Sequence, residues 1–282
     1  MKKRSWMTLG VVLTFLATVL LAGCGNKEEG SNNEANGVSP SEAASALGDI
    51  KSRGKLVVGV KYDTKLFGLK DPASGNVEGF DVDIAKALAK EILGDETKIE
   101  LKEVTSKTRI PMLNNNEIDM IIATMTITEE RKKEVDFSDV YFKAGQSLLV
   151  KKGSPIKSIE DIKKGTKVLA VKGSTSVDNI KAKVPDAAVL EFDNYQDAFS
   201  ALKAGQGDTL TTDNAILYGM AVQDPNYEVV GETFTDEPYG IALKKGATDL
   251  LNSVNEALKK LHDNGEYDKI YEKWIGEAPS GE

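Results

Sequence analysis

Of the 282 residues, one is cysteine and one is histidine. A single thiol allows no internal disulfide, so stability must come from a packed core. A lone His262 gives no basis for a multi-histidine zinc site and little for a histidine-based catalytic triad. Long apolar runs are also missing. The uncharged stretch at residues 7–20 falls short of the ~20 residues that a membrane-spanning helix needs. Positive charge is in deficit, with 36 Lys and Arg against 44 Asp and Glu, a formal net charge of −8. Residues 1–23 hold three of those positive charges (Lys2, Lys3, Arg4) and no acid, so the chain without them stands at −11. That balance argues against a nucleic-acid partner and against adsorption to anionic lipid through a basic face. No internal repeat is evident, and no low-complexity segment interrupts the body.

The N-terminus has the plan of an export signal: a basic start, a short apolar core and small residues. Cys24 follows directly in Leu21-Ala22-Gly23-Cys24, which resembles the bacterial lipobox. That resemblance implies cleavage before Cys24 and a diacylglycerol on its thiol; two acyl chains suffice for stable anchoring. An ordinary signal peptide with an incidental cysteine is the plainer alternative. Residues 24–48 are poor in apolar side chains and have no aromatic, a composition that does not order itself. As a flexible tether they would span about 25 Å. About 235 residues remain beyond it, ample for one large domain or two modest ones.

Within the body, continuous apolar runs at residues 56–60, 120–123, 168–171 and 188–190 read as strands buried on both faces. Residues 80–93 place Ile84, Leu88 and Ile92 four apart, the period of a helix with one buried face. Further helices are expected at 108–114, 128–135, 176–184, 195–203 and 249–262. The last carries Leu250, Leu251, Val254, Leu258 and Leu261 on one side. This alternation predicts an α/β architecture with mostly parallel sheets.

Four places could carry chemistry. Thr126-Ile127-Thr128-Glu129-Glu130-Arg131 suggests a helix start capped by Thr128, where the dipole would favour acids over Arg131. Arg131 with free amides would trap a carboxylate; a surface arginine paired with a glutamate is the bland alternative. Lys172-Gly173-Ser174-Thr175-Ser176 joins a strand to a helix and offers a second anion-friendly terminus. Asp213, at a helix start, is either a cap or the partner of an ammonium. Arg109 lies in the first turn of another helix, where most arginines are solvated.

Gly79-Phe80-Asp81-Val82-Asp83-Ile84-Ala85, Thr126-Ile127-Thr128-Glu129-Glu130-Arg131-Lys132-Lys133, Asp136-Phe137-Ser138 and Tyr239-Gly240-Ile241-Ala242 together resemble the polar amino-acid-binding proteins of ABC importers (bacterial solute-binding protein family 3). The resemblance runs from about Lys55 to Trp274. It implies a bilobed type II periplasmic-binding-protein, or Venus flytrap, fold of two α/β lobes joined by two hinge strands. It puts the first lobe at 49–142 and 239–276, the second at 146–235, and a tail at 277–282. It implies that Arg131, helped by Thr126 and Thr175, holds an α-carboxylate, and that Asp213 with Thr124 holds the α-ammonium. Four or five charge-assisted contacts reach about −8 kcal/mol, a micromolar binder or better. The implied partners are a membrane permease and a cytoplasmic ATPase, with the binding protein monomeric, anchored outside the cytoplasm and free of cofactor or metal.

For the ligand side chain, Lys61 and Lys107-Thr108-Arg109 resemble glutamate and aspartate binders. Two cations, Lys61 and Arg109, beside one pocket favour an anion, because a neutral amide would leave buried charge uncompensated. Lys172 instead matches a lysine that glutamine binders use. L-glutamate, with aspartate, is therefore expected first and glutamine second, with Phe67 and Tyr62 as candidate pocket walls. Rival readings are a ligand receptor for a sensor, and an exported dehydratase-like enzyme, which would need a spare general acid in the cleft.

Overall fold

The computed structural model describes residues 45–276. The export signal, Cys24, most of the expected tether and the tail at 277–282 lie outside the described residues. The tether was expected to reach residue 48, but a helix already begins at Ala46 (α1, Ala46–Arg53). Ser45 caps it, its Oγ accepting from Gly48 N at 3.0 Å, and Ile50 is buried. Composition missed this helix because its support is tertiary: Asp249, distant in sequence, accepts Leu47 N at 2.9 Å.

The first lobe is built on β1 (Leu56–Val60), whose Leu56, Val58 and Val60 are fully buried. A small antiparallel sheet follows, made of β2 (Asp63–Thr64), β3 (Gly68–Lys70) and β4 (Val77–Glu78). Next come α2 (Phe80–Leu93), β5 (Ile99–Glu103), α3 (Arg109–Asn114), β6 (Met120–Ile121) and β7 (Val135–Ala144). In α2 the spacing seen in the sequence holds, with Ile84, Leu88 and Ile92 buried and Gly94 closing the helix in the left-handed conformation.

The second lobe comprises β8 (Gln146–Lys151), β9 (Lys167–Val171), α4 (Thr175–Lys183), β10 (Ala188–Phe192), α5 (Tyr195–Lys203), β11 (Thr209–Asp213), α6 (Asn214–Gln223) and β12 (Tyr227–Val230). The chain then returns through β13 (Glu237–Lys244) and packs α7 (Thr248–Asp263) and α8 (Glu266–Trp274) on the first lobe. Leu250, Val254, Leu258 and Leu261 of α7 are buried, and Leu251 only partly.

Two five-stranded sheets result, ordered β5-β1-β6-β13-β7 and β10-β9-β11-β8-β12. Each is mixed rather than mostly parallel. Three parallel strands carry crossover helices, while β13 pairs antiparallel with β6 and β7, and β8 antiparallel with β11 and β12. The antiparallel members arrive without a crossover helix, which a parallel neighbour would require. The helix expected at 128–135 is a single 3-10 turn, Arg131–Lys133. Thr128 closes that turn, accepting Arg131 N on its hydroxyl at 3.1 Å and Lys132 N on its carbonyl at 2.9 Å. From Val135 onward the chain is drawn into the β13 ladder instead. The chain leaves the first sheet at Gly145 and comes back between Val230 and Glu237. The two passes touch: a Cβ on Gly145 would lie 2.6 Å from the Thr235 carbonyl oxygen.

Candidate functional site

The ends of β1, β6 and β11 and the starts of α2, α3, α4 and α5 bring a set of buried charges together between the two sheets. Lys61, one residue past β1, is fully buried; its Nζ donates to Ser106 Oγ at 2.9 Å and lies 5.1 Å from the Tyr195 ring centroid. Burial lowers its pKa to about 8, opposed chiefly by Asp63. Asp81, in the first turn of α2, accepts from Tyr141 Oη at 2.8 Å and Thr124 N at 2.9 Å. Burial lifts its carboxyl to about 7, despite those two hydrogen bonds and the nearby Lys61.

Arg109 is buried rather than solvated. Its guanidinium donates to Ala123 O at 2.7 Å, and its Nε has no partner. Burial, with repulsion from Arg131, brings its pKa down to about 9. Thr124 adopts a left-handed backbone, φ 45°, which turns the chain after β6 towards this cluster. Arg131 is half-buried and takes no glutamate. It donates to Thr126 O at 2.8 Å and, from the other lobe, to Gly173 O at 3.1 Å. Glu129 and Glu130 pair with Lys132 and Lys133 instead. Two of the five guanidinium N–H groups of Arg131 are thus used, and the rest suit a carboxylate.

From the second lobe, Asp213 stands at the end of β11. It occupies the N-cap position of α6 but makes no capping hydrogen bond. One carboxylate oxygen accepts from Tyr239 Oη at 2.6 Å, and the other, Oδ1, is buried without a partner. Burial, then repulsion from Glu237, raises its pKa to about 7. Thr175 opens α4, and its hydroxyl donates to Glu237 at 2.8 Å. Glu237 also accepts from Asn179 and Thr235 at 2.7 and 2.9 Å.

Arg131, Arg109, Asp213, Lys61, Thr124, Thr126 and Thr175 therefore converge. Lys172 does not join them: its ammonium pairs with Asp193 at 2.8 Å on a partly exposed surface, because it leaves the end of β9 towards the segment after β10. Phe67 is core rather than exposed wall, packed edge-on against Phe80, Phe142 and Tyr239. Tyr62 turns its hydroxyl to Leu101 O at 3.0 Å. Sequence reasoning missed Asp63, Tyr195 and Glu237 as members of the cluster, and Asp81 and Tyr239 as more than motif letters. Acids embedded in apolar segments were the available signal for Asp81. Glu237 gave none, because it sits on β13 and two of its partners, Thr175 and Asn179, are on α4, distant in sequence.

Among the described residues, no group of His, Cys, Asp or Glu is placed to hold a metal ion. The buried side-chain polar atoms left unpartnered there are one donor, Arg109 Nε, and one acceptor, Asp213 Oδ1. A cluster with this pair and a partly free guanidinium can bind a small molecule carrying both a carboxylate and an ammonium.

The chain is similar to known proteins over most of its length. The ABC transporter glutamine-binding protein of Bacillus subtilis is 64% identical over 269 residues, 95% of this chain and 97% of that one. A glutamate-binding protein of Corynebacterium glutamicum is 33% identical over 288 residues, 98% of this chain and 92% of its own. The structure of an ancestral arginine-binding protein bound to glutamine superposes with a TM-score of 0.75 at 50% identity, covering 80% of this chain and 99% of that chain. The fold is thus the bilobed type II periplasmic-binding-protein fold, and the relatives are solute-binding proteins rather than enzymes. The pattern of bacterial extracellular solute-binding proteins, family 3, matches residues 56–277, and the chain belongs to that family.

Proposed function

We propose that this chain is the binding protein of an amino-acid ABC importer and that its ligand is L-glutamine. The observation that carries the amino-acid reading is the buried, unpartnered Oδ1 of Asp213 beside Arg131 and Arg109. A charged acceptor left bare in a dry site is costly, and an α-ammonium satisfies it. Arg131 and the first amides of α4 then take the α-carboxylate, and Thr124 and Thr126 line the same corner.

The side-chain preference follows from charge. The expectation of glutamate assumed that Lys61 and Arg109 stood uncompensated. Asp63 and Asp81 act on Lys61, and Asp213 acts on Arg109. With Arg131 and Glu237 included, three cations face four acids, of which Asp81 and Asp213 are raised to about 7. The cations are thus already compensated, so a second ligand carboxylate finds no spare positive charge, whereas an amide needs none. The relatives support the same choice, with a glutamine-binding protein at 64% identity against a glutamate-binding one at 33%.

The working cycle in this reading is closure of residues 49–142 with 239–276 onto 146–235, through the passes at Gly145 and 231–236. Ligand bridging both lobes favours the closed form. A lipid on Cys24 would hold the protein near a permease and its ATPase. Isothermal titration of the protein, unfolded and refolded to remove carried ligand, tests the assignment. L-glutamine binding at micromolar or tighter, at least tenfold better than L-glutamate, and its loss in Arg131→Ala are expected. Preference for L-glutamate would return the specificity to Lys61 and Arg109, and no binding of either would overturn the amino-acid reading.

A further inference from the structure

The turn after β1 is gripped by two helices of the opposite lobe, in contacts that no ligand mediates. Asp63 Oδ2 accepts the backbone N–H of Tyr195, the first residue of α5, at 2.7 Å. The Asp63 carbonyl accepts Gln196 Nε2 at 2.9 Å, and Thr64 Oγ1 braces the remaining carboxylate oxygen at 2.9 Å. A carboxylate at a helix N-terminus meets unpaired amides and the positive end of the dipole. Lys61 adds its ammonium over the Tyr195 ring at 5.1 Å. On the turn's other side α6 comes so close that a Cβ on Gly219 would lie 2.5 Å from the Lys65 carbonyl oxygen. Backbone contact at that distance requires glycine.

We infer that Asp63 is a closure latch: a positioning residue that holds the two lobes together through the N-terminus of α5 and so sets how long the ligand is retained. The inference rests on the lobe-closure reading above. Both carboxylate oxygens of Asp63 have protein partners, so it acts on the ligand without touching it, through α5 and through its charge on Lys61. Gly219 contributes by letting α6 seat against the same turn.

The test measures release of tritiated L-glutamine from the full chain, with small-angle scattering of the ligand-free protein. Asp63→Ala removes a charge-assisted bond and should speed release about tenfold, with the association rate changed less than twofold. Asp63→Asn, which keeps an acceptor but no charge, should fall between. Gly219→Ala, remote from the ligand's own partners, should speed release as Asp63→Ala does. Ligand-free Asp63→Ala should show a larger radius of gyration than wild type. Release at the wild-type rate in both alanine variants overturns the latch. So does faster release in Asp63→Ala alone, which would assign the effect to its charge on Lys61 rather than to lobe closure, or a fall in ligand-free thermal midpoint with release unchanged. If wild type binds no L-glutamine, the ligand assignment fails, and the scattering comparison alone decides the latch: an unchanged radius of gyration overturns it.

Discussion

Asp213 sits where a carboxylate is least at ease: buried, near Glu237, with one oxygen bonded to Tyr239 and the other bare. Burial, then Glu237, raise its pKa from 3.8 to about 7, against the Tyr239 hydrogen bond. A ligand ammonium favours the ionised form, so binding should release a proton at acidic pH. Affinity should fall by up to about tenfold per pH unit below about 7. Titrations between pH 5.5 and 8 in buffers of different ionisation enthalpy measure both effects, and Asp213→Asn should flatten the profile while weakening binding about ten- to a hundredfold. Stability follows the opposite course. The folded state holds this proton more tightly than the unfolded state, so the contribution is present in acid and lost as pH rises from about 4 through about 7. Urea unfolding of ligand-free wild type relative to Asp213→Asn should therefore show a smaller difference in favour of wild type at pH 8 than at pH 5.

At the scale of elements, the site depends on how α2 and α4 are started. Gly79, the N-cap of α2, has φ 152°, and a Cβ there would lie 2.1 Å from the Phe67 carbonyl oxygen. The close approach lets Phe80 and Asp81 donate their amides to Leu66 and Phe67 at 2.7 and 3.1 Å, which aims Asp81 at Thr124. Gly79→Ala combines a backbone conformation foreign to L-residues with a clash and should cost about 3 kcal/mol, measurable as a lower urea midpoint. Helix α4 is held from below. Glu237, on the returning strand, binds Thr175 and Asn179, and Gln146, on the outgoing one, binds Ser176 O at 3.2 Å. Both passes between the lobes thus grip the helix that presents Thr175.

For the whole molecule, stability and ligand occupancy are linked. A ligand that binds only the folded protein adds about 2.7 kcal/mol at a hundred times its Kd. For a chain of this size that is a rise in Tm of about 5–10 °C. Scanning fluorimetry with saturating L-glutamine should show it in wild type and not in Arg131→Ala. Surface ion pairs such as Lys133–Glu130 and Lys259–Asp263 are exposed and contribute little by comparison.

The elements whose cause is local were legible in the chain: β1, α2, α5 and α7 follow apolar periodicities that any burying partner would satisfy. The motif residues Arg131, Asp213 and Thr175 and the family were legible for the same reason, since short-range pattern carries them. Elements without a local cause were not. The 128–135 segment reads as a helix until β13 offers its ladder, and α1 reads as tether until Asp249 accepts the Leu47 amide. The sequence by itself determined the bilobed α/β class and the family. Only the tertiary structure decided which charges face one another. Lys61 and Arg109 look uncompensated along the chain, and only folding sets Asp63, Asp81 and Asp213 among them. Coulomb energy depends on distance in space, which sequence separation does not give.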